Sequence, residues 1–206
     1  PLKRRQIKLA TPDASLLEMW GAAPALTPAQ AGVPCVDLFA SIGGWSTGAA
    51  QAGHRVVLAV DNDPKALAVH ALNHPQTTHL ELTLGPETEE ALVAAIRAAL
   101  PADGVWHLHG SPPCTTVSTT AFVNAHRSHD DVRARQRSIG FALVDWFLAL
   151  VRRLQPTSWS FEQVRHKEVL RRLQEWRRQA PSVCDFDVVD LSAYGVPQTR
   201  TRVLAG

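Results

Sequence analysis

Cys35-Val36-Asp37-Leu38-Phe39-Ala40-Ser41-Ile42-Gly43-Gly44 decides how the chain is read. Its first six residues form a short, mostly apolar run of the kind that makes a buried strand. Ser41 to Gly44 ends that run with two glycines, and a helix is expected from about Trp45 to Ala52, with Gly53 placed to cap it. Strand, glycine turn and helix N-terminus together make a cradle in which the backbone approaches a ligand closely. Alone the signal is weak, because many α/β turns hold two glycines and bind nothing.

The next segments strengthen it. Arg55 to Val60 reads as a second strand, ended by Asp61-Asn62-Asp63-Pro64. Asn62 or Asp63 suits the N-cap of a following helix, with Pro64 in its first turn. An acid at the end of a second strand can accept hydrogen bonds from ribose hydroxyls. The glycines do not follow the dinucleotide order G-x-G-x-x-G, so a nucleoside cofactor other than NAD is expected. Leu80 to Leu84 reads as a short third strand. Glu89 to Leu100 reads as a helix with Leu92, Ala95, Ile96 and Ala99 on one face, stopped by Pro101.

Gly104 to His109 is a further strand, and Gly110-Ser111-Pro112-Pro113-Cys114-Thr115-Thr116-Val117-Ser118 follows it. Each proline removes a backbone donor and fixes φ, so the strand stops in a rigid turn with one thiol just beyond. A thiol at that edge of an open α/β sheet is a candidate nucleophile; the plainer alternative is a buried structural cysteine. Thr115 to about Arg137 is polar and reads as a mobile loop. Phe141 to Leu154 is an amphipathic helix. Ser158 to Phe161 is a strand with Glu162-Gln163-Val164 at its end, and His166 to Gln179 is a helix. Phe186 to Asp190 and Arg202 to Ala205 are strands whose link is too short for a crossover helix, so they should pair antiparallel. The expected fold is α/β: doubly wound, with a mostly parallel sheet and an antiparallel hairpin at its end. Residues 1–32 lack periodicity and read as an arm or linker before a domain over residues 33–206.

Composition sets the bounds. Hydrophobic residues make up 45% and charged residues 19% of 206, an ordinary globular balance. The longest apolar segment is too short to span a bilayer, and the charged N-terminus has no apolar run behind it, so neither a membrane span nor a secretory leader is expected. Three widely spaced cysteines give no disulfide framework and no metal spacing, which points to a reducing, intracellular compartment, cytoplasm or nucleus. Charge is uneven: residues 33–126 carry 3 basic against 8 acidic side chains, and residues 127–178 carry 12 against 6. Basic charge gathered on one part of a fold is the footprint of a polyanion partner. For the Arg171–Arg178 cluster alone, a solvated helix face is the favoured reading.

Four segments thus stand at strand ends: Asp37–Gly44, Gly110–Ser118, Glu162–Val164 and Pro197–Arg202. Their residue types suit one chemistry. Carbon 5 of cytosine is a poor nucleophile until a thiolate adds at carbon 6, and that addition needs a carboxylic acid on ring nitrogen 3. From about Val33 to Gly206 the chain resembles the DNA (cytosine-5) methyltransferase family. Asp37, Phe39, Ala40, Ser41, Ile42, Gly43 and Gly44 look like the family's first motif, which holds S-adenosylmethionine. Asp61, with Asn62, matches its ribose-binding acid, and Glu81 its adenine contact. Pro113-Cys114 with Ser118 is similar to the Pro-Cys-x-x-x-Ser motif, with Pro112 before it as a further cofactor contact; Glu162-Gln163-Val164 is similar to Glu-Asn-Val, and Gln198-Thr199-Arg200-Thr201-Arg202 to Gln-x-Arg-x-Arg.

The resemblance implies S-adenosylmethionine as cofactor, double-stranded DNA as partner and no metal. It implies Cys114 as nucleophile, Glu162 on cytosine N3 and the exocyclic amine, Arg202 on O2, and Arg200 supporting the loop. The base would be flipped from the duplex at roughly a few kcal/mol. Ser41 stands where the family has glycine, Thr115 where it has glutamine and Gln163 where it has asparagine. The sequence ends inside its last strand, before the family's target recognition region and C-terminal motifs. A truncated core is therefore expected, with a second chain as one source of the missing region. Cytosine in tRNA as substrate, and a non-catalytic or split-enzyme subunit, are the alternatives.

Overall fold

The computed structural model describes residues 32–101, 104–113, 130–181 and 183–206, with side chains in the long central helix from Ile139 onward. Seven strands form one sheet: β1 (Pro34–Leu38), β2 (Arg55–Asp61), β3 (Thr78–Glu81), β4 (His107–Gly110), β5 (Ser158–Val164), β6 (Phe186–Asp190) and β7 (Thr201–Ala205). Five helices intervene: α1 (Gly44–Gln51), α2 (Pro64–Asn73), α3 (Glu89–Ala99), α4 (Asp130–Leu154) and α5 (Lys167–Gln179). The sheet order is β3-β2-β1-β4-β5-β7-β6. β7 runs antiparallel to both β5 and β6, and every other pairing is parallel. This is the doubly wound sheet with an antiparallel end that the sequence predicts.

The order reverses between β1 and β4: the chain winds outward through β2 and β3, then returns to start the other half. In such sheets the crevice beyond the strands' C-terminal ends, at the reversal, receives the ligand. The core that holds these strands in place lies largely against α3, α4 and α5. Val36, Leu38, Leu108, Phe161 and Val203 from the sheet meet Leu92, Ile96, Phe147, Leu150 and Leu173, all essentially inaccessible. Cys35, Ala49 and Val56, with Trp45, make a second, smaller cluster under α1.

Local chemistry explains the helix ends. The Asp63 carboxylate accepts from the Lys65 and Ala66 amides and caps α2, with Pro64 at its first position. Gly53 lies just past α1 at φ +84°, and its amide bonds Ala50 O.

Three expectations need correction. The third strand is Thr78–Glu81, earlier than the Leu80–Leu84 reading, and Leu82 to Gly85 turns away towards a 3₁₀ turn at Pro86–Thr88. Helix α4 begins at Asp130, so the polar segment is helical over its last eight residues. Asp130 to Arg137 has no apolar periodicity, so nothing in the sequence pattern marks a helix there. Glu162 to Val164 lie within β5 and not beyond it, paired to Leu204, Val203 and Arg202. Among the described residues, no helix is long and apolar enough to cross a membrane.

Candidate active site

The β1 turn is tightly built. Ala40 N–H bonds Val60 O at 3.1 Å, Gly43 N–H bonds Ala40 O at 3.0 Å, and Ser41 N–H donates to Asp61 Oδ2 at 2.9 Å. Phe39 and Ser41 both sit at positive φ, +62° and +49°. L-residues pay for that conformation, and such strain gathers at ligand clamps. A glycine at Ser41 would avoid it. Ser41→Gly is therefore expected to raise unfolding stability by up to about 1 kcal/mol, the relief of the left-handed conformation exceeding the entropic cost of glycine. A lowered denaturant midpoint would contradict this.

Beyond the turn is a cavity of about 490 Å³. Phe39, Asp61 and Asn62 line it on one side, Leu82 to Glu87 on another, and Pro113, Ile139, Ala142 and Leu143 on the far side. Phe39 is held edge-on to Trp146 at 6.4 Å. Asp61 accepts from Ser41 N–H through one oxygen and from Asp63 N–H at 2.9 Å through the other. Each carboxylate oxygen can accept a second bond, so Asp61 keeps capacity for a hydroxyl in the cavity. Glu81 is exposed at the end of β3 beside Asp61, outside the lining, whereas Glu87 lines it. The sequence reading missed Glu87, which carries no motif signal. Ile42 and Gly44 are exposed, and Ala40 is buried.

Asp37 is fully buried at the end of β1. Its Oδ2 accepts from Ser46 Oγ at 2.6 Å, and its Oδ1 has no hydrogen-bond partner among the described residues. Burial pushes its carboxyl up to about 7, and the Ser46 bond pulls the other way. A buried polar atom left open in this way is uncommon and calls for a ligand or water.

The second half of the site is built from β4, β5 and β7. Ser111 N–H bonds Leu38 O at 3.3 Å, which fastens the proline turn to the end of β1. Gln163, completely buried, donates through Nε2 to Pro112 O at 2.9 Å, while its Oε1 accepts from Val164 N–H at 2.8 Å. The longer amide thus spans from β5 to the proline turn. Glu162, on the opposite face of β5, meets Arg202 of β7: Arg202 Nε donates to Glu162 Oε1 at 2.6 Å. Both side chains are largely shielded, Arg202 at 14% exposure and Glu162 at 31%. The antiparallel register sets Glu162 opposite Leu204, and Arg202 is the diagonal neighbour on the same face. Arg200 is exposed, with its backbone amide donating to Asp190 at 3.2 Å.

Cys114, with Thr115 and Ser118, falls outside the described residues, as does residues 1–31. The two described cysteines are buried, and burial is the main cause pushing the thiols of Cys35 and Cys184 up to about 11. Both are therefore poorly suited to forming a thiolate. In the basic segment, Arg171 pairs with Glu168, Arg172 with Asp145 and Glu168, Arg177 with Asp185 and Arg178 with Glu175, at 2.9–3.2 Å. That cluster is an ion-paired helix face, in line with the favoured reading.

Known proteins share this family and fold. A family model described as C-5 cytosine-specific DNA methylase matches residues 33–205. The chain is 30% identical over 177 residues to the type II methyltransferase M.XorII of Xanthomonas oryzae pv. oryzae, covering 82% of this chain and 39% of that protein. It is 31% identical over 175 residues to M.HgiDI of Herpetosiphon aurantiacus, covering 81% and 49%. The chain therefore spans less than half the length of these curated relatives. A structure described as a DNA modification methyltransferase encoded within an E. coli prophage aligns at TM-score 0.58 and 27% identity, over 84% of this chain and 46% of that one. The S. pombe Dnmt2 methyltransferase shares the fold, at TM-score 0.53 and 17% identity, over 84% of this chain and 48% of its own.

Proposed function

The chain belongs to the C-5 cytosine-specific DNA methylase family, and on that premise we propose that it transfers a methyl group to carbon 5 of cytosine in DNA through a covalent cysteine adduct. The observation that carries this reading is the Glu162–Arg202 pair at 2.6 Å, between β5 and β7, its carboxylate next in sequence to the Gln163 that anchors the proline turn before Cys114. A carboxyl group and a base-holding guanidinium side by side are what the cytosine ring requires.

The residues present fit S-adenosylmethionine. Phe39 offers an aromatic wall for a purine, Asp61 has lone pairs for ribose hydroxyls, and the open Oδ1 of buried Asp37 suits an ammonium. When bound, that cofactor supplies the electrophilic methyl group. The remaining chemistry belongs to the chain. The Cys114 thiolate adds to carbon 6, and the electron pair released into the ring is accommodated by a proton that Glu162 places on nitrogen 3. Arg202 holds O2 and keeps Glu162 aligned. Once carbon 5 carries the methyl group, nitrogen 3 returns its proton to the Glu162 carboxylate, carbon 5 gives up its own proton to water, the double bond between carbons 5 and 6 re-forms, and the thiolate leaves carbon 6. The target base is flipped from the duplex to reach these groups.

The test is product analysis. The chain is incubated with labelled S-adenosylmethionine and either duplex DNA or tRNA, alone and with a second chain carrying a target recognition region. The expected product is 5-methylcytosine in DNA. Product confined to tRNA would favour the RNA substrate. No product under any condition would favour a non-catalytic subunit.

A further inference from the structure

From Asp37, a polar network that the reaction just described does not use runs behind the β1 turn into α2 and β3. His70 is completely buried, with Nε2 3.0 Å from Ser46 Oγ and Nδ1 2.8 Å from His79 Nε2. Ser46 in turn bonds Asp37 at 2.6 Å. The four side chains form one chain from a half-buried imidazole on β3 to a fully buried carboxyl beside the turn. His74, one helical turn after His70, lies 3.1 Å from Thr47 Oγ1. Thr47 Oγ1 also donates to Gly43 O at 2.8 Å. A methyl group at Gly43 would lie 2.9 Å from the His74 ring and 3.0 Å from the His70 ring. The two imidazoles therefore fill the space directly beneath the glycine turn.

We propose that His70 is a positioning residue for the cofactor turn: through Ser46 it orients the Asp37 carboxyl, and together with His74 it braces the backbone at Gly43. This rests on reading that turn as the cofactor cradle. The chain of bonds can run in either direction. With Asp37 ionised, Ser46 donates to Asp37, His70 Nε2–H donates to Ser46, and His79 Nε2–H donates to His70. With Asp37 protonated, every donor and acceptor reverses. Either charge state of a buried carboxyl is thus satisfied at Oδ2.

The groups facing this network are few. Asp61 acts on Asp37 from β2 and Cys35 lies two residues back on β1, while His109 is its register partner on β4. His70 faces His74 on its own helix and His79 on β3. Burial, and then those two imidazoles, hold His70 down to about 4, so it stays neutral near pH 7. Burial pushes the Asp37 carboxyl up to about 7. A cation binds its ionised form better, so affinity for S-adenosylmethionine should rise with pH through that point.

The test compares the full chain with its His70→Phe and His70→Gln variants. One arm measures S-adenosylmethionine affinity against pH, and the other measures amide hydrogen exchange at Ser41, Gly43 and Thr47 without ligand. Phenylalanine removes both bonds, so affinity should fall roughly tenfold and the turn amides should exchange faster. Glutamine can donate to Ser46 and accept from His79, so it should restore affinity and protection. Unchanged exchange in His70→Phe, or a failure of glutamine to rescue while its thermal stability matches wild type, would overturn the proposal. A wild-type chain that binds no S-adenosylmethionine would overturn the cofactor reading instead, and the exchange arm would still decide the brace.

Discussion

Glu162→Gln is expected to lower the turnover of methyl transfer by about 10²-fold or more, with a much smaller change in KM. Glutamine keeps the shape of the side chain but cannot deliver a proton to nitrogen 3. It also exchanges a charge-assisted bond to Arg202, now 2.6 Å long, for a neutral one. Fold and register should survive, because β5 is held by Trp159, Phe161 and Gln163 on its other face. Single-turnover kinetics separate the effects. A turnover within threefold of wild type would remove Glu162 from the mechanism.

Gly110→Ala should have the largest effect on stability, a loss of about 3 kcal/mol or more. A Cβ at this position would lie 2.2 Å from Phe147 Cε2, 2.5 Å from Cδ2 and 2.8 Å from Cζ. Phe147 has nowhere to move: it is fully buried, with Phe161 at 5.8 Å and Trp159 at 6.3 Å. The strain would also be relayed to Ser111 and Pro112, the residues that deliver Cys114. Pairing the change with Phe147→Leu should recover part of the lost stability, since the two sites share one space. An unfolding free energy from urea titration within about 0.5 kcal/mol of wild type for Gly110→Ala alone would contradict this packing.

Much of this could be read from the residues, for identifiable reasons. Apolar runs ended by Gly-Gly, Asn-Asp-Pro and Pro-Pro marked the strands, because turn residues act locally and leave a local signal; the order of the strands in the sheet needed the structure. The short link between Phe186–Asp190 and Thr201–Ala205 gave the antiparallel end. The first turns of α4 were not legible, since Asp130 to Arg137 has no apolar periodicity to follow. Nor was the reach of Gln163 to Pro112, or the approach of Arg202 to Glu162, because both depend on which strands neighbour β5. The Ser46–His70–His79 chain joins three elements across the sheet edge and leaves no mark at any one position. Ser41 was seen as a departure from glycine, but its left-handed conformation needed the folded turn.

The most direct measurement is covalent trapping on a DNA duplex carrying 5-fluorocytosine, with S-adenosylmethionine present. Fluorine at carbon 5 cannot leave as a proton does, so a cysteine-bound intermediate accumulates once methyl transfer has occurred. A denaturation-stable protein–DNA adduct is predicted with this chain, alone or supplemented by a second chain with a target recognition region, and it should vanish in Cys114→Ser. No adduct in either mixture, or an adduct that persists in Cys114→Ser, would contradict the account.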